Sequence, residues 1–145
     1  MHRHGETLLR ALAISAVLLL SGCVGTLSGQ LTIPHETASR SIYFVERSPQ
    51  DGRDLASTIV ARMRARGLNA VTGASVPANA DYVISYIDKW QWDMRMYLFD
   101  LRIEMRDTKN ASLVGYGESS QSSLKAMGKT FADIIDTALN QLYGK

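Results

Sequence analysis

Between Met94 and Asp107, Tyr97, Phe99, Leu101, Ile103 and Met105 fall on one side of a two-residue period, and Asp100, Arg102, Glu104 and Arg106 fall on the other. Side chains of an extended chain point to alternate faces, so this segment reads as a strand with one buried face and one wet face. Its neighbours suit it. Tyr82 to Trp92 reads as a strand ahead of it and Leu113 to Glu118 as a strand after it, which predicts a three-stranded antiparallel meander. Asp107-Thr108-Lys109-Asn110 is the expected turn between the last two, with Asn110 able to take a positive φ. Gly115 and Gly117 share one face of the third strand, so close approach of a helix or another backbone is expected there.

The rest of the chain has to cover the buried face. Ser41-Ile42-Tyr43-Phe44-Val45 is β-branched and aromatic, as a buried strand is. Ser48-Pro49-Gln50-Asp51 predicts a helix start: serine caps, proline suits the first turn, and the acid three residues on can complete a capping box. Leu55, Ile59 and Met63 recur at four-residue spacing with Val60 beside them, while Arg53, Arg62, Arg64 and Arg66 fall largely on other faces. Gly67 is placed to close that helix, and Leu68 to Val71 is a short second strand before a loop through Pro77. After a polar stretch from Ser119 to Ser123, Phe131, Ile134, Ile135, Ala138 and Leu142 make the apolar stripe of a last helix. The order β-α-β-β-β-β-α predicts an α+β two-layer sandwich, with two helices on one face of a mixed, mostly antiparallel sheet of four or five strands. An extra N-terminal strand near Leu31 to Ile33 is the variant of this plan.

Ahead of that domain, Arg3 and Arg10 precede or open an uncharged run from Ala11 to Leu20, a positive region and an apolar region too short to span a bilayer stably. The run Leu20-Ser21-Gly22-Cys23 resembles the lipobox of bacterial lipoproteins, in which small residues precede an invariant cysteine. The resemblance implies that residues 1–22 are a signal peptide cut before Cys23. It also implies that the Cys23 thiol carries a diacylglyceryl thioether and that the new amine is acylated, palmitate being the expected chain. One acyl chain binds a membrane marginally, whereas several on one residue anchor it stably. In enteric bacteria an Asp after the cysteine retains a lipoprotein at the inner membrane, so Val24 points instead to the outer membrane, with the domain facing the periplasm. Residues 23–39, rich in Gly, Ser and Thr and containing Pro34, read as the lipidated N-terminus and a flexible tether, and residues 40–145 as the periplasmic domain.

Cys23 is the only cysteine in the 145 residues, which leaves neither a disulfide framework nor a thiolate metal site. No cofactor or metal is expected. Loss of Arg3, Arg10 and Glu6 with the leader brings the formal charge of +2 closer to neutrality. A near-neutral domain offers no electrostatic footprint for nucleic acid and no polybasic tract for anionic lipid.

The helix ending Arg64-Ala65-Arg66-Gly67-Leu68, followed by Ala80-Asp81-Tyr82-Val83-Ile84, together with the lipobox, resembles small envelope lipoproteins with an anticodon-binding-like or TolB-N-terminal-like α/β unit. Those families include the lipoprotein partner of the lipopolysaccharide transport barrel, the curli secretion lipoprotein and activators of peptidoglycan synthases. The resemblance covers Ser41 to Tyr143 in topology and carries over no functional residue except Cys23.

Catalysis needs positioned groups of suitable pKa, most often a histidine. The mature chain would hold only His35, in the expected tether, and Ser119, Ser120, Ser122 and Ser123 have no base within reach by sequence. Asp88 and Asp93 flank the tryptophans and could act as a glycosidic acid/base pair if they faced each other, but ion pairs with Lys89 or Arg95 explain them more simply. The domain is therefore expected to be a non-enzyme. Its unusual patch runs from Tyr86 to Tyr97, where strand alternation puts Tyr86, Trp90 and Trp92 on one face, with Met94 and Met96 near by. Trp90, Trp92, Met94, Arg95, Met96 and Tyr97 make a candidate partner- or ligand-binding surface, because interfaces favour aromatic, Met and Arg side chains. The same aromatics can instead line the core beneath the helices, or rest on a membrane surface. The expectation is an adapter: an anchored lipoprotein that binds another envelope component. A carrier or sensor of a small apolar ligand, such as a lipid or glycan fragment, is the alternative.

Overall fold

The computed structural model describes residues 35–121 and 128–144. Five strands form one mixed sheet: β1 Ile42–Val45, β2 Asn69–Thr72, β3 Tyr82–Asp93, β4 Arg95–Asp107 and β5 Leu113–Ser120, in the order β2-β1-β3-β4-β5. β1 runs parallel to both β2 and β3, while β3-β4 and β4-β5 are antiparallel. The helices are α1 His35–Arg40, α2 Leu55–Ala65 and α3 Phe131–Tyr143. Parallel neighbours need a crossover, and α2 supplies it between β1 and β2. The result is the α+β sandwich that the residue pattern predicts, with one helix more.

That extra helix, α1, occupies part of the stretch expected as tether. Ala38 is buried, its carbonyl accepts the Tyr43 hydroxyl at 2.8 Å, and the Ser41 amide and hydroxyl both reach the Thr37 carbonyl. From Thr37 onward the chain is thus tied to the domain. The leader, Cys23 and the variant strand at Leu31 to Ile33 lie outside the described residues.

The core lies between the helices and one face of the sheet. Tyr43, Val45, Ile84, Leu101, Ile103 and Met105 meet Leu55, Ile59 and Met63 of α2 and Ile134, Ile135, Leu139 and Leu142 of α3. Gly117 marks the closest approach: a Cβ there would stand 1.9 Å from the carbonyl oxygen of Ala138. The two helices are also clamped to each other. Arg62 of α2 and Arg66 at its C-cap both pair with Asp136 of α3, and Arg66 reaches Asn140 at 2.7 Å. Burial alone would raise the Asp136 carboxyl, but hydrogen bonds and charge from the two guanidinium groups outweigh it and hold it below its ordinary value.

Three local expectations change. α2 begins at Leu55, not at Ser48, with Asp54 before it in the left-handed region at φ 57. The capping acceptor is Asp51, whose carboxylate takes the amides of Leu55 at 2.9 Å and Ala56 at 3.0 Å from outside the helix. The other end follows the pattern. Gly67 has φ 79, and the Gly67→Arg64 and Leu68→Met63 amide bonds form a Schellman close. In the β4-β5 turn the positive φ belongs to Ala111, at 57°, not to Asn110. The Asn110 side chain accepts the Ser112 amide at 2.9 Å instead, while the Ala111 amide bonds the Asp107 carbonyl. Finally, the alternation in β4 is interrupted. Lys89 pairs with Asp100 and Trp90 with Leu98, so Phe99 is left over as a bulge. Leu98 rather than Phe99 is fully buried as a result.

Candidate functional site

β3 and β4 outrun their neighbours. The β1 ladder on β3 ends at Val45 opposite Ile84, with one further bond from the Glu46 amide. On the other side the β5 ladder ends at Ser120 opposite Asp100, followed by the bond from the Gln121 amide to the Phe99 carbonyl. Beyond the Phe99 bulge the two strands continue as a two-stranded arm, which turns at Met94 with φ 59. A non-glycine residue in that region costs roughly 1–2 kcal/mol, so a tight turn is being held at some expense in strain.

The six candidate residues divide along this arm. At the tip, Trp92 and Met96 are cross-strand partners; Trp92 is 71% exposed, Met94 88% and Met96 44%, with Arg95 exposed between them. At the root, Tyr97 is only 4% exposed and Trp90 is half-buried against the core. The Trp90 ring is gripped from three sides. Phe131 meets it edge-on at 5.1 Å, the Arg53 guanidinium lies 4.4 Å from its centroid, and its indole N–H donates to the Asp88 carboxylate. Trp90 and Tyr97 therefore belong to the packed part of the molecule, while Trp92, Met94, Arg95 and Met96 stand in solvent.

Tyr86 is buried, and its hydroxyl donates to the Asp51 carboxylate at 2.8 Å and accepts the Ser48 amide at 3.2 Å. Burial, chiefly, pushes this phenol up to about 12. For Asp51 burial acts in the opposite sense to the net shift: the amides of Ala56 and Leu55 and the Tyr86 hydroxyl hold the carboxyl below its ordinary value, so it is ionised at neutral pH.

The acid/base pair does not assemble. Asp88 and Asp93 lie on one strand five residues apart, hence on opposite faces and roughly 16 Å apart along it. Neither takes the expected Lys89 partner, which pairs with Asp100 at 3.1 Å. Ser119 is buried and accepts the Gln121 side-chain amide at 3.0 Å; Ser122 and Ser123 lie outside the described residues. His35 opens α1. Among the described residues no group of three His, Cys, Asp or Glu side chains could hold a metal ion, and no helix is long and apolar enough to cross a membrane.

Residue reasoning missed two recesses that flank the Trp90–Phe131 pair. One, of about 560 Å³, is lined by Gln50, Asp51, Gly52, Arg53, Asp88, Trp90 and Met96. The other, of about 290 Å³, lies between the arm and the start of α3. Four of the candidate residues line them, Trp90 and Met96 the first and Arg95, Met96 and Tyr97 the second. The opposite walls come from segments far apart in the chain, Gln50 to Arg53 and Lys129 to Ile134, which residue reasoning did not connect to them.

No protein-family model matches the chain, and no curated protein does. Among solved structures it is similar to the dodecamer of a PelC point variant from Paraburkholderia phytofirmans, with a TM-score of 0.48 and 22% identity, over 70% of this chain and 84% of that one.

Proposed function

We propose that this chain is an outer-membrane-anchored lipoprotein whose non-catalytic periplasmic domain binds another envelope component through the tip of its β3-β4 arm. The observation that carries the reading is the exposure of Trp92, Met94 and Met96 together at the end of a ribbon that, among the described residues, has no flanking strand. An isolated two-stranded ribbon is marginal in water, and large apolar side chains at its end gain most from a partner that covers them. The Leu20-Ser21-Gly22-Cys23 run supports the anchor. A lipid on Cys23 would raise the effective concentration of the domain near membrane-bound partners, so that a weak second contact suffices. The separation of Asp88 from Asp93 supports a binding role over glycosidic chemistry.

The test is a photo-crosslinker at position 94 in living cells, with the adduct identified by mass spectrometry. A discrete adduct with one envelope component, lost both in Trp92→Ser and in Cys23→Ser, is expected. Adducts that are diffuse, or indifferent to Trp92→Ser, would overturn the arm as the contact. Indifference to Cys23→Ser would overturn the anchor alone.

A further inference from the structure

The smaller recess has a chemistry of its own. Its apolar lining is Met96, Leu98, Phe131 and Ile134, with Tyr97. Two cations join that lining, Arg95 from the arm and Lys129 just ahead of α3, and among the described residues no carboxylate does. Asp133, in the first turn of α3, feels the charge of Lys129 but directs its hydrogen bonds to the helix start, its carboxylate taking the Thr130 amide at 2.8 Å and the Thr130 hydroxyl at 2.7 Å. Asp93 faces Arg95 in the ladder but lies outside the lining. An apolar trough with cations in its wall favours a ligand with an anionic head and an apolar tail: the head makes charge-assisted hydrogen bonds and the tail leaves water. Size narrows this further. About 290 Å³ is at the lower edge of the range for small-ligand sites, roughly 300–1,000 Å³, which admits one short chain and not a pair of long ones.

We propose that this groove binds a single-chain anionic amphiphile, a fatty carboxylate or an alkyl phosphate, with its head on Arg95 and Lys129 and its tail along Phe131 and Leu98. The site needs neither the anchor nor the arm's partner, so it stands or falls apart from the adapter reading. The ligand can be a free amphiphile or one chain of a membrane lipid, and the chemistry of recognition is the same.

The experiment is a calorimetric titration of the full chain carrying Cys23→Ser, so that no attached lipid competes, with decanoate below its micelle point. Saturable binding at one site is expected for decanoate and for decyl phosphate. Octanoate should bind more than tenfold more weakly, at on the order of fourfold per methylene. Decyltrimethylammonium, with the same tail and the opposite charge, should not bind, and neither should acetate. Arg95 and Lys129 are exposed, so Arg95→Gln with Lys129→Gln should keep the circular dichroism spectrum and lose at least tenfold in affinity. Displacement of decanoate by phosphatidylglycerol vesicles assigns the site to membrane lipid, and its retention assigns it to a free amphiphile. Equal binding of the cationic probe, unchanged affinity in the double variant, or the absence of saturation would each overturn the proposal.

Discussion

Asp51 sets where a helix begins without belonging to it. Its carboxylate holds the first two free amides of α2 and the hydroxyl of Tyr86 from the neighbouring strand. Asp51→Ala should therefore destabilise the fold by about 1 kcal/mol or more in urea unfolding, the ordinary value of a lost cap. Asp51→Asn, which keeps an acceptor oxygen, should cost less. Gly117 works by absence. Because the atom that a Cβ would strike is helix backbone, the clash cannot be relieved by a rotamer change. Gly117→Ala should cost about 1–3 kcal/mol through displacement of α3 from β5, read as a lower unfolding midpoint.

At the scale of the element, the arm separates two tryptophans two residues apart. Trp90 is held by Phe131, Arg53 and Asp88, whereas Trp92 is open to solvent. Trp90→Ala should lower stability by roughly 2 kcal/mol, less than the 3–5 of a fully buried aromatic, while Trp92→Ala should leave the thermal midpoint where it was. A shared loss in both variants would mean that the tip is packed. The bulge at Phe99 matters for the same reason. It puts Leu98 on the side of Trp90 and Met96, and so builds the wall against which Phe131 and Ile134 close the groove.

At the scale of the whole molecule, carboxylates and phenols limit the fold from opposite ends of the pH range. Asp51, Glu104 and Asp136 all sit below their ordinary values; in each, burial is outweighed by donors, which for Glu104 are Arg102 and Arg106. A carboxyl depressed in the folded state contributes stability that is present above its unfolded pKa, about 4, and is lost as pH falls through the folded value. Tyr43 and Tyr86 are pushed up to about 12, chiefly by burial. Their contribution is present below about 10, where the free phenol titrates, and is lost as pH rises from there through 12. Urea midpoints taken from pH 2 to 12 should form a plateau that falls on the acid side below about 4 and on the alkaline side above about 10. Asp136→Asn should flatten the acid limb, because the Arg62 and Arg66 clamp between α2 and α3 then no longer titrates.

The sequence by itself determined the elements and the layer plan. Alternation from Leu101 to Arg106 is a property of one strand, the four-residue spacing of Leu55, Ile59 and Met63 is a property of one helix, and Gly67 closes that helix through its own backbone freedom. Local periodicity carries such information because the cause and the pattern lie within one turn or one pleat. Only the tertiary structure decided that Asp51 caps α2 while bonded to Tyr86, 35 residues on, or that Arg62 meets Asp136, 74 residues away. The same holds for the length of the arm, set by where β1 and β5 stop, and for the contacts of Phe131, Arg53 and Asp88 with Trp90 that leave the six candidate residues as a packed root and an exposed tip. Those features depend on partners brought together by the sheet register, and no window of residues shorter than the fold contains them.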